Sequence, residues 1–191
     1  IGVTANTVES AAQLQWALAN AVKDADVVVM TAAVGDYRPA TVAKDKIKRG
    51  ELGPKATIDL VANPDLLAEL GSKRRGGTPL LVGFAAETTD VIENAMRKLA
   101  AKKCDLIVAN DVSEPGSGFA VDTNRVTLVD KSGAEEVPAG PKYEVAHRIL
   151  DRVVAHLETG PRQAAQAPGT SRTARAPRPK SSRAAKRRSA S

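Results

Sequence analysis

Short apolar runs alternate along this chain with stretches in which apolar residues return every three or four positions, a pattern that predicts strands and helices in turn. Residues 2–8 read as a short extended segment, with Val3, Ala5 and Thr7 alternating imperfectly against their neighbours. Ser10, with Gln13 three residues on, has the capping-box form, and Leu14, Trp16, Leu18 and Val22 partly sustain a helical period to about Lys23. After the turn Asp24-Ala25-Asp26 comes an apolar run, Val27-Val28-Val29-Met30, that gives way to small and polar residues, as in a buried strand delivering a loop to one edge of a sheet. Residues 57–61 predict a short strand. Asn63-Pro64-Asp65 predicts a helix start, since Asn can cap, Pro fits the first turn and Asp favours the positive end of the helix dipole.

That helix carries Leu66, Leu67 and Leu70 to Gly71, and a basic, glycine-rich loop over 73–77 follows it. Residues 80–84 predict a second buried strand, 90–103 a third helix and 105–109 a third strand. Strands separated by helices imply a parallel sheet with right-handed crossovers. Beyond Asp111 the pattern changes. Residues 113–117 are loop-like, and Arg125 to Val129 alternate as a strand. Lys131-Ser132-Gly133 predicts a hairpin turn into Glu135-Glu136-Val137. A last helix over 142–158 carries Val145, Ile149, Val153 and Leu157 at steps of four. The expectation is an α/β domain over 1–159, with a mostly parallel sheet, helices on both faces and a C-terminal β-hairpin. From Gly160 no apolar period survives, and 160–191 is expected to be a disordered basic tail.

Composition changes this picture in two places. Only 3% of the residues are aromatic, so the core must come from Val, Leu, Ile and Ala. The net charge of +6 is unevenly spread: the tail holds nine Lys or Arg and no acid, which leaves 19 basic against 22 acidic residues, a net −3, before Gly160. One cysteine, Cys104, excludes an intramolecular disulfide framework and suits a reducing compartment. No apolar run reaches the length of a membrane span and no secretory signal is visible, so the expected location is the cytoplasm. The chain opens on Ile1 rather than Met and is read as a processed or partial sequence.

Neither GxGxxG nor GxxxxGK[ST] occurs, which counts against an ordinary dinucleotide dehydrogenase and a P-loop enzyme. No catalytic triad can be assembled. His147 and His156 read as surface or packing residues of the last helix, and Cys104 as a buried structural thiol. Three sheet-edge features remain: the stretch from Met30 to Asp36, Phe84 with a face able to stack on a base, and Lys98 with Lys102, four apart on one helix face. Singly, each also reads as core packing or solvated charge. Together they gain weight, because ligands of open α/β sheets sit outside the carboxyl ends of the strands.

In this order, TAAVGDYRPATVAKDKIKRG, ANPDLL, LLVGFAAET and CDLIVANDV resemble bacterial phosphopantothenate–cysteine ligase, the second activity of the bifunctional coenzyme A biosynthesis flavoprotein, over roughly residues 3–158. The resemblance implies a Rossmann-like domain that joins phosphopantothenate to L-cysteine with CTP and Mg²⁺ through an acyl-cytidylate, and that works as a homodimer. Carried over by motif, Met30, Thr31 and Ala32 would offer main-chain contacts to the nucleotide and Asp36 its carboxylate. Lys46, the first lysine of the family's K-x-K-K flap, would touch the triphosphate as the catalytic cation. Pro64, Asp65, Leu66 and Leu67 would form a nucleotide-binding helix start, with Phe84 the aromatic contact and Lys98 and Lys102 further nucleotide contacts.

Arg49 departs from the family's last flap lysine, and Gly35 stands where alanine can occur. The family's upstream serine- and glycine-rich loop, with an asparagine and an arginine that handle the acyl-cytidylate, has no counterpart in these residues. Neither does the flavin-binding decarboxylase domain to which FMN would belong. The alternative expectation is therefore a non-catalytic nucleotide-binding or dimerisation fragment. A nucleic-acid role through the tail is not expected, because the tail lacks interleaved aromatics and the domain before it is acidic. No membrane partner is expected either.

Overall fold

The computed structural model describes residues 2–48, 50, 53–112 and 121–159. The expectations for the loop 113–117, for Arg49 and for the tail from Gly160 lie outside the described residues. In chain order the elements are α1 (Ala11–Ala21) followed by a 3₁₀ turn (Val22–Asp24), β1 (Val27–Met30), β2 (Tyr37–Pro39), β3 (Leu60–Ala62), α2 (Leu66–Lys73), β4 (Leu80–Glu87), α3 (Val91–Lys102), β5 (Leu106–Asp111), β6 (Thr123–Asp130), β7 (Gly133–Pro141) and α4 (Lys142–Thr159). The main sheet runs β1-β4-β5-β6-β7. Its first three strands are mutually parallel, and β6 and β7 add an antiparallel hairpin.

The apolar runs of β4 and β5 are buried on both faces, as parallel strands between helical layers must be. Leu80, Val82, Leu106 and Val108 face α4, where they meet Val145, Ile149 and Val153 together with Val126, Leu128 and Val137. Leu81, Ala85, Ile107 and Ala109 face the other way, against Leu67 of α2 and Ala95 and Leu99 of α3. Each aliphatic side chain buried in these layers contributes about 1.5–3 kcal/mol. Of the four apolar residues at steps of four on α4, the first three are buried and Leu157 is exposed.

Three expectations change in detail. Residues 2–8 form no strand. The predicted 57–61 strand shifts to Leu60–Ala62 and pairs outside the main sheet with Tyr37–Pro39 in an antiparallel ribbon. In α1 the capping box forms as expected, with the Ser10 hydroxyl accepting from the Gln13 N–H and the Gln13 side chain accepting from the Ser10 N–H. Its apolar period, however, buries no residue fully, and Trp16 is 73% exposed. A cap needs only local contacts, whereas a helical stripe is buried only where another layer lies opposite.

Two features hold the layers. Gly71 of α2 lies so close to α3 that a Cβ there would stand 2.0 Å from the Lys102 carbonyl oxygen. At the far side of the sheet, Asp130, 3% exposed, accepts hydrogen bonds from the Ser132 N–H (2.7 Å), the Ser132 hydroxyl (2.5 Å) and Arg152 Nη1 (3.0 Å), and lies 2.9 Å from His156 Nε2. It thereby ties the C-terminal half of α4 to the β6–β7 turn, where Gly133 takes φ +134°, a conformation that favours glycine. Burial alone would raise the Asp130 carboxyl pKa, but the bonds from Ser132 and His156 and the charge of Arg152 outweigh it and hold the group below the ordinary carboxylate range.

Helix propensity alone favours Gly71→Ala by about 1 kcal/mol. The backbone clash is expected to reverse the sign, with net destabilisation of about 1–3 kcal/mol in a urea melt. For Asp130, a lowered folded-state pKa means its stabilisation is present above the unfolded-state value and is lost as pH falls through the folded-state one. Asp130→Asn is expected to cost about 1–3 kcal/mol at pH 7. The difference from the parent chain should shrink below about pH 4, as chemical denaturation across pH would show.

Candidate functional site

Because β1, β4 and β5 are parallel, their carboxyl ends and the loops that follow lie along one edge of the sheet. β1 stops at Met30, level with Gly83 of β4, while β4 continues to Glu87. Phe84 thus stands just past the end of its neighbour and is 39% exposed although it lies in a central strand. At this step in the sheet lies a cleft of about 240 Å³, lined by Met30 and Ala32 to Asp36 after β1, Asn63 to Leu67 at the start of α2, Phe84, Ile107, and Lys98 and Lys102 of α3.

The cleft depends on a glycine behind two of its lining residues. A Cβ at Gly83 would lie 2.6 Å from Leu67 Cδ2 and 2.9 Å from Ile107 Cδ1, so the missing side chain lets the first turn of α2 settle onto the sheet. The opposite wall, residues 32–36, is stitched to the approach of α2 by Asn63. The Asn63 amide Nδ2 donates to the Gly35 carbonyl (2.8 Å) and its backbone N–H to the Asp36 carbonyl (2.7 Å). Arg38 in turn donates to Asn63 Oδ1 (3.0 Å) and to the Ala62 carbonyl (2.8 Å). The helix start itself differs from expectation. The N-cap is Asp65, whose carboxylate accepts from the Ala68 N–H (3.0 Å), and Asn63 and Pro64 precede the cap. Asn63 is committed to the β1 loop, so the acid three residues before a free N–H takes the capping role.

Both lysines carry acidic partners. Lys102 Nζ lies 2.9 Å and 3.1 Å from the two Asp65 oxygens, and Lys98 Nζ lies 2.6 Å from Glu87 Oε1. Partial burial would raise the Asp65 pKa. The Lys102 bond, the N–H groups of Ala68 and Leu67 and the Lys102 charge together lower it below the ordinary range. Asp65 therefore caps α2 and joins α2 to α3 at once. Chemically, the site offers a strand-end backbone, an exposed carboxylate in Asp36, an aromatic ring and two cations, the inventory that recognises a phosphorylated ligand with a planar base.

Of the residues singled out in the sequence, Met30, Ala32, Asp36, Pro64, Asp65, Leu66, Leu67, Phe84, Lys98 and Lys102 all line this cleft. Thr31, between two lining residues, and Lys46 do not line it, and Lys46 is exposed on the segment that follows β2. The sequence does not single out Asn63, which lines the cleft, or Glu87, which pairs with Lys98 beside it. Asn63 carried only a capping signal, and Glu87 sat at a strand end with nothing local to mark its partner on α3. Cys104 is buried, and burial pushes its thiol up to about 11, which fits the structural reading. His147 packs edge-on against Tyr143, and His156 belongs to the Asp130 network. Among the described residues, no group of three or more His, Cys, Asp or Glu side chains gathers as a metal site, and no helix is long and apolar enough to cross a membrane.

The family model for the DNA/pantothenate metabolism flavoprotein C-terminal domain matches residues 1–157. The chain belongs to this family. It is 44% identical over 157 residues to the coenzyme A biosynthesis bifunctional protein CoaBC of Bacillus subtilis, covering 81% of this chain and 38% of that protein. It is also 44% identical over 165 residues to the CoaBC protein of Mycobacterium tuberculosis, covering 82% of this chain and 39% of the relative. The chain thus spans well under half the length of these relatives. The crystal structure of the C-terminal domain of a CoaBC protein superposes with a TM-score of 0.62 at 38% identity, covering 79% of this chain and 64% of that one. A DNA/pantothenate metabolism flavoprotein from Streptococcus pneumoniae, at 22% identity and a TM-score of 0.60, shares the fold.

Asn63→Ala removes the side-chain bond to Gly35 that fastens the β1 loop of this family domain, together with the bond that Arg38 donates, and keeps the backbone bond to Asp36. A loss of about 1–2 kcal/mol is expected, with faster amide hydrogen exchange at residues 31–36 than elsewhere in the sheet. Uniform exchange across the sheet edge would show that the loop is held by other means.

Proposed function

We propose that this chain acts in coenzyme A biosynthesis as the nucleotide-holding part of a phosphopantothenate–cysteine ligase that uses CTP. The observation that carries the reading is the convergence on one cleft of the β1 end, the α2 start, Phe84, Lys98 and Lys102 in a domain of this family. The strand-end backbone from Met30 to Ala32 and the Asp36 carboxylate hold the base and ribose end. Phe84 offers a ring face to the base, a contact worth about 1–3 kcal/mol where bases stack on aromatics. Lys98 and Lys102 meet the phosphates.

In the proposed reaction the substrate carboxylate attacks the α-phosphorus of CTP. A new acyl–oxygen–phosphorus link forms and the bond to the β-phosphate breaks, releasing pyrophosphate. The amine of L-cysteine then attacks the acyl carbon, CMP departs with the electron pair of the broken bond, and the amine loses a proton as the amide forms. Negative charge builds on the departing pyrophosphate, so cations that reach it there lower the barrier more than they stabilise the ground state. Lys46 takes this role. Its exposed position away from the cleft suits a group on a segment that closes only over bound nucleotide. Mg²⁺ would enter with CTP, since that ion prefers phosphate oxygens and water to a cage of protein ligands. When bound, Mg²⁺ supplies charge neutralisation on the phosphate oxygens.

The proposed assembly is a homodimer in the cytoplasm. Exposed apolar side chains on and beside the β2–β3 ribbon, Tyr37, Ile58 and Leu60 among them, support a partner surface there. In the full-length context, Lys46→Gln is expected to slow pyrophosphate release by roughly 10²–10³ in a single turnover with phosphopantothenate and CTP. Release at the parent rate would remove Lys46 from the mechanism. Titrating the chain with CTP and ATP separately tests the nucleotide preference, with tighter binding of CTP expected.

A further inference from the structure

Glu87 closes β4 next to the cleft without lining it. Its side chain is only 12% exposed, whereas that of Lys98 is 41% exposed, so a largely buried carboxylate faces a half-exposed ammonium at 2.6 Å. The other carboxylate oxygen, Oε2, accepts from Asn94 Nδ2 (3.1 Å), and the same amide nitrogen donates to the Thr89 carbonyl (2.9 Å). The carboxylate is fixed at its backbone as well, since the Val112 N–H donates to the Glu87 carbonyl (3.0 Å). Asn94 and Lys98 are four apart on α3 and so present neighbouring side chains to the strand end. Lys98 and Lys102 stand between the cleft and a second hollow of about 410 Å³, which Glu87, Asn94 and Arg97 also line. A lysine left alone there has two spaces to occupy and a side chain with much rotamer freedom to lose on binding.

We infer that Glu87, held by Asn94, is a positioning residue that fixes the Lys98 ammonium at the rim of the cleft for a nucleotide phosphate. It touches no ligand and acts through Lys98 alone. The charge of the carboxylate, 2.6 Å away, holds the ammonium in place, so the lysine is ordered before the phosphate arrives. Lys102 is ordered separately by Asp65, so the two cations have independent supports on different elements.

The inference rests on the nucleotide reading of the cleft, and its test separates the two. CTP with Mg²⁺ is titrated calorimetrically into the parent chain, Glu87→Gln, Lys98→Ala, Lys102→Ala and the double variants that combine Glu87→Gln with each lysine change. Glu87→Gln is expected to weaken CTP binding about five- to tenfold, a coupling on the scale found for residues in direct contact. In the Lys98→Ala background the same change should have no further effect, and in the Lys102→Ala background its full effect. A purely structural role would weaken binding alike in both. Additive losses with Lys98→Ala, or unchanged binding by Glu87→Gln, would overturn the positioning role while leaving the nucleotide site standing. A parent chain that does not bind CTP would overturn both. Should Glu87→Gln fail to fold, Glu87→Asp keeps the charge but withdraws it from Lys98, and the same pattern against the two lysine backgrounds is expected.

Discussion

The close contact between Gly71 and the Lys102 carbonyl sets how near α2 and α3 approach each other, and the cleft at the sheet edge depends on that distance. With a side chain at Gly71 the helices would stand further apart, and Asp65 at the start of α2 could not reach Lys102 near the end of α3. Gly83 makes the same kind of allowance one layer down, letting Leu67 rest on the sheet. Two absent side chains therefore bring a capping acid, an aromatic strand residue and two lysines within one small volume. In close-packed interiors such space is not recovered by small adjustments elsewhere.

Electrostatics then decides what that volume can accept. Each lysine has its own acid, so neither cation stands unpaired in the ligand-free chain. The pairs differ in their surroundings: Asp65 is half exposed, while Glu87 is nearly covered. An exposed pair is worth little by itself and exchanges readily with an incoming anion. A covered carboxylate that lost its cation would be left buried and charged, which is costly, so it keeps its partner in place. This difference gives the cleft one adaptable cation and one fixed one.

The opposite end of the sheet serves stability. Arg74 donates to Asp105 and to the Pro79 carbonyl (3.1 Å), and Asp105 also accepts from the Leu81 N–H (2.8 Å), so the α2–β4 loop is fastened to the starts of β4 and β5. The Asp130 network does the same for α4 and the hairpin. Polar groups at this end are spent on one another, whereas those at the carboxyl end form the walls of a cleft. That division between a closed end and an open end is the general arrangement of open α/β sheets.

The sequence by itself determined the α/β class, the order of elements and most of the residues around the cleft. Apolar runs such as Leu80 to Val82, the Ser10 cap and the periodic inner face of α4 depend on interactions within a few residues and can be read locally. The family motifs placed ten of the twelve candidate site residues at the cleft, because a parallel sheet brings every strand end to one edge. Only the tertiary structure decided which groups are partners. It put Asn63 on the β1 loop and gave the cap to Asp65, paired residues 60–62 with 37–39 outside the main sheet, left Trp16 uncovered, and set Glu87 against Lys98. Each of these depends on which element lies opposite in space, and no local period or propensity along the chain records that distance.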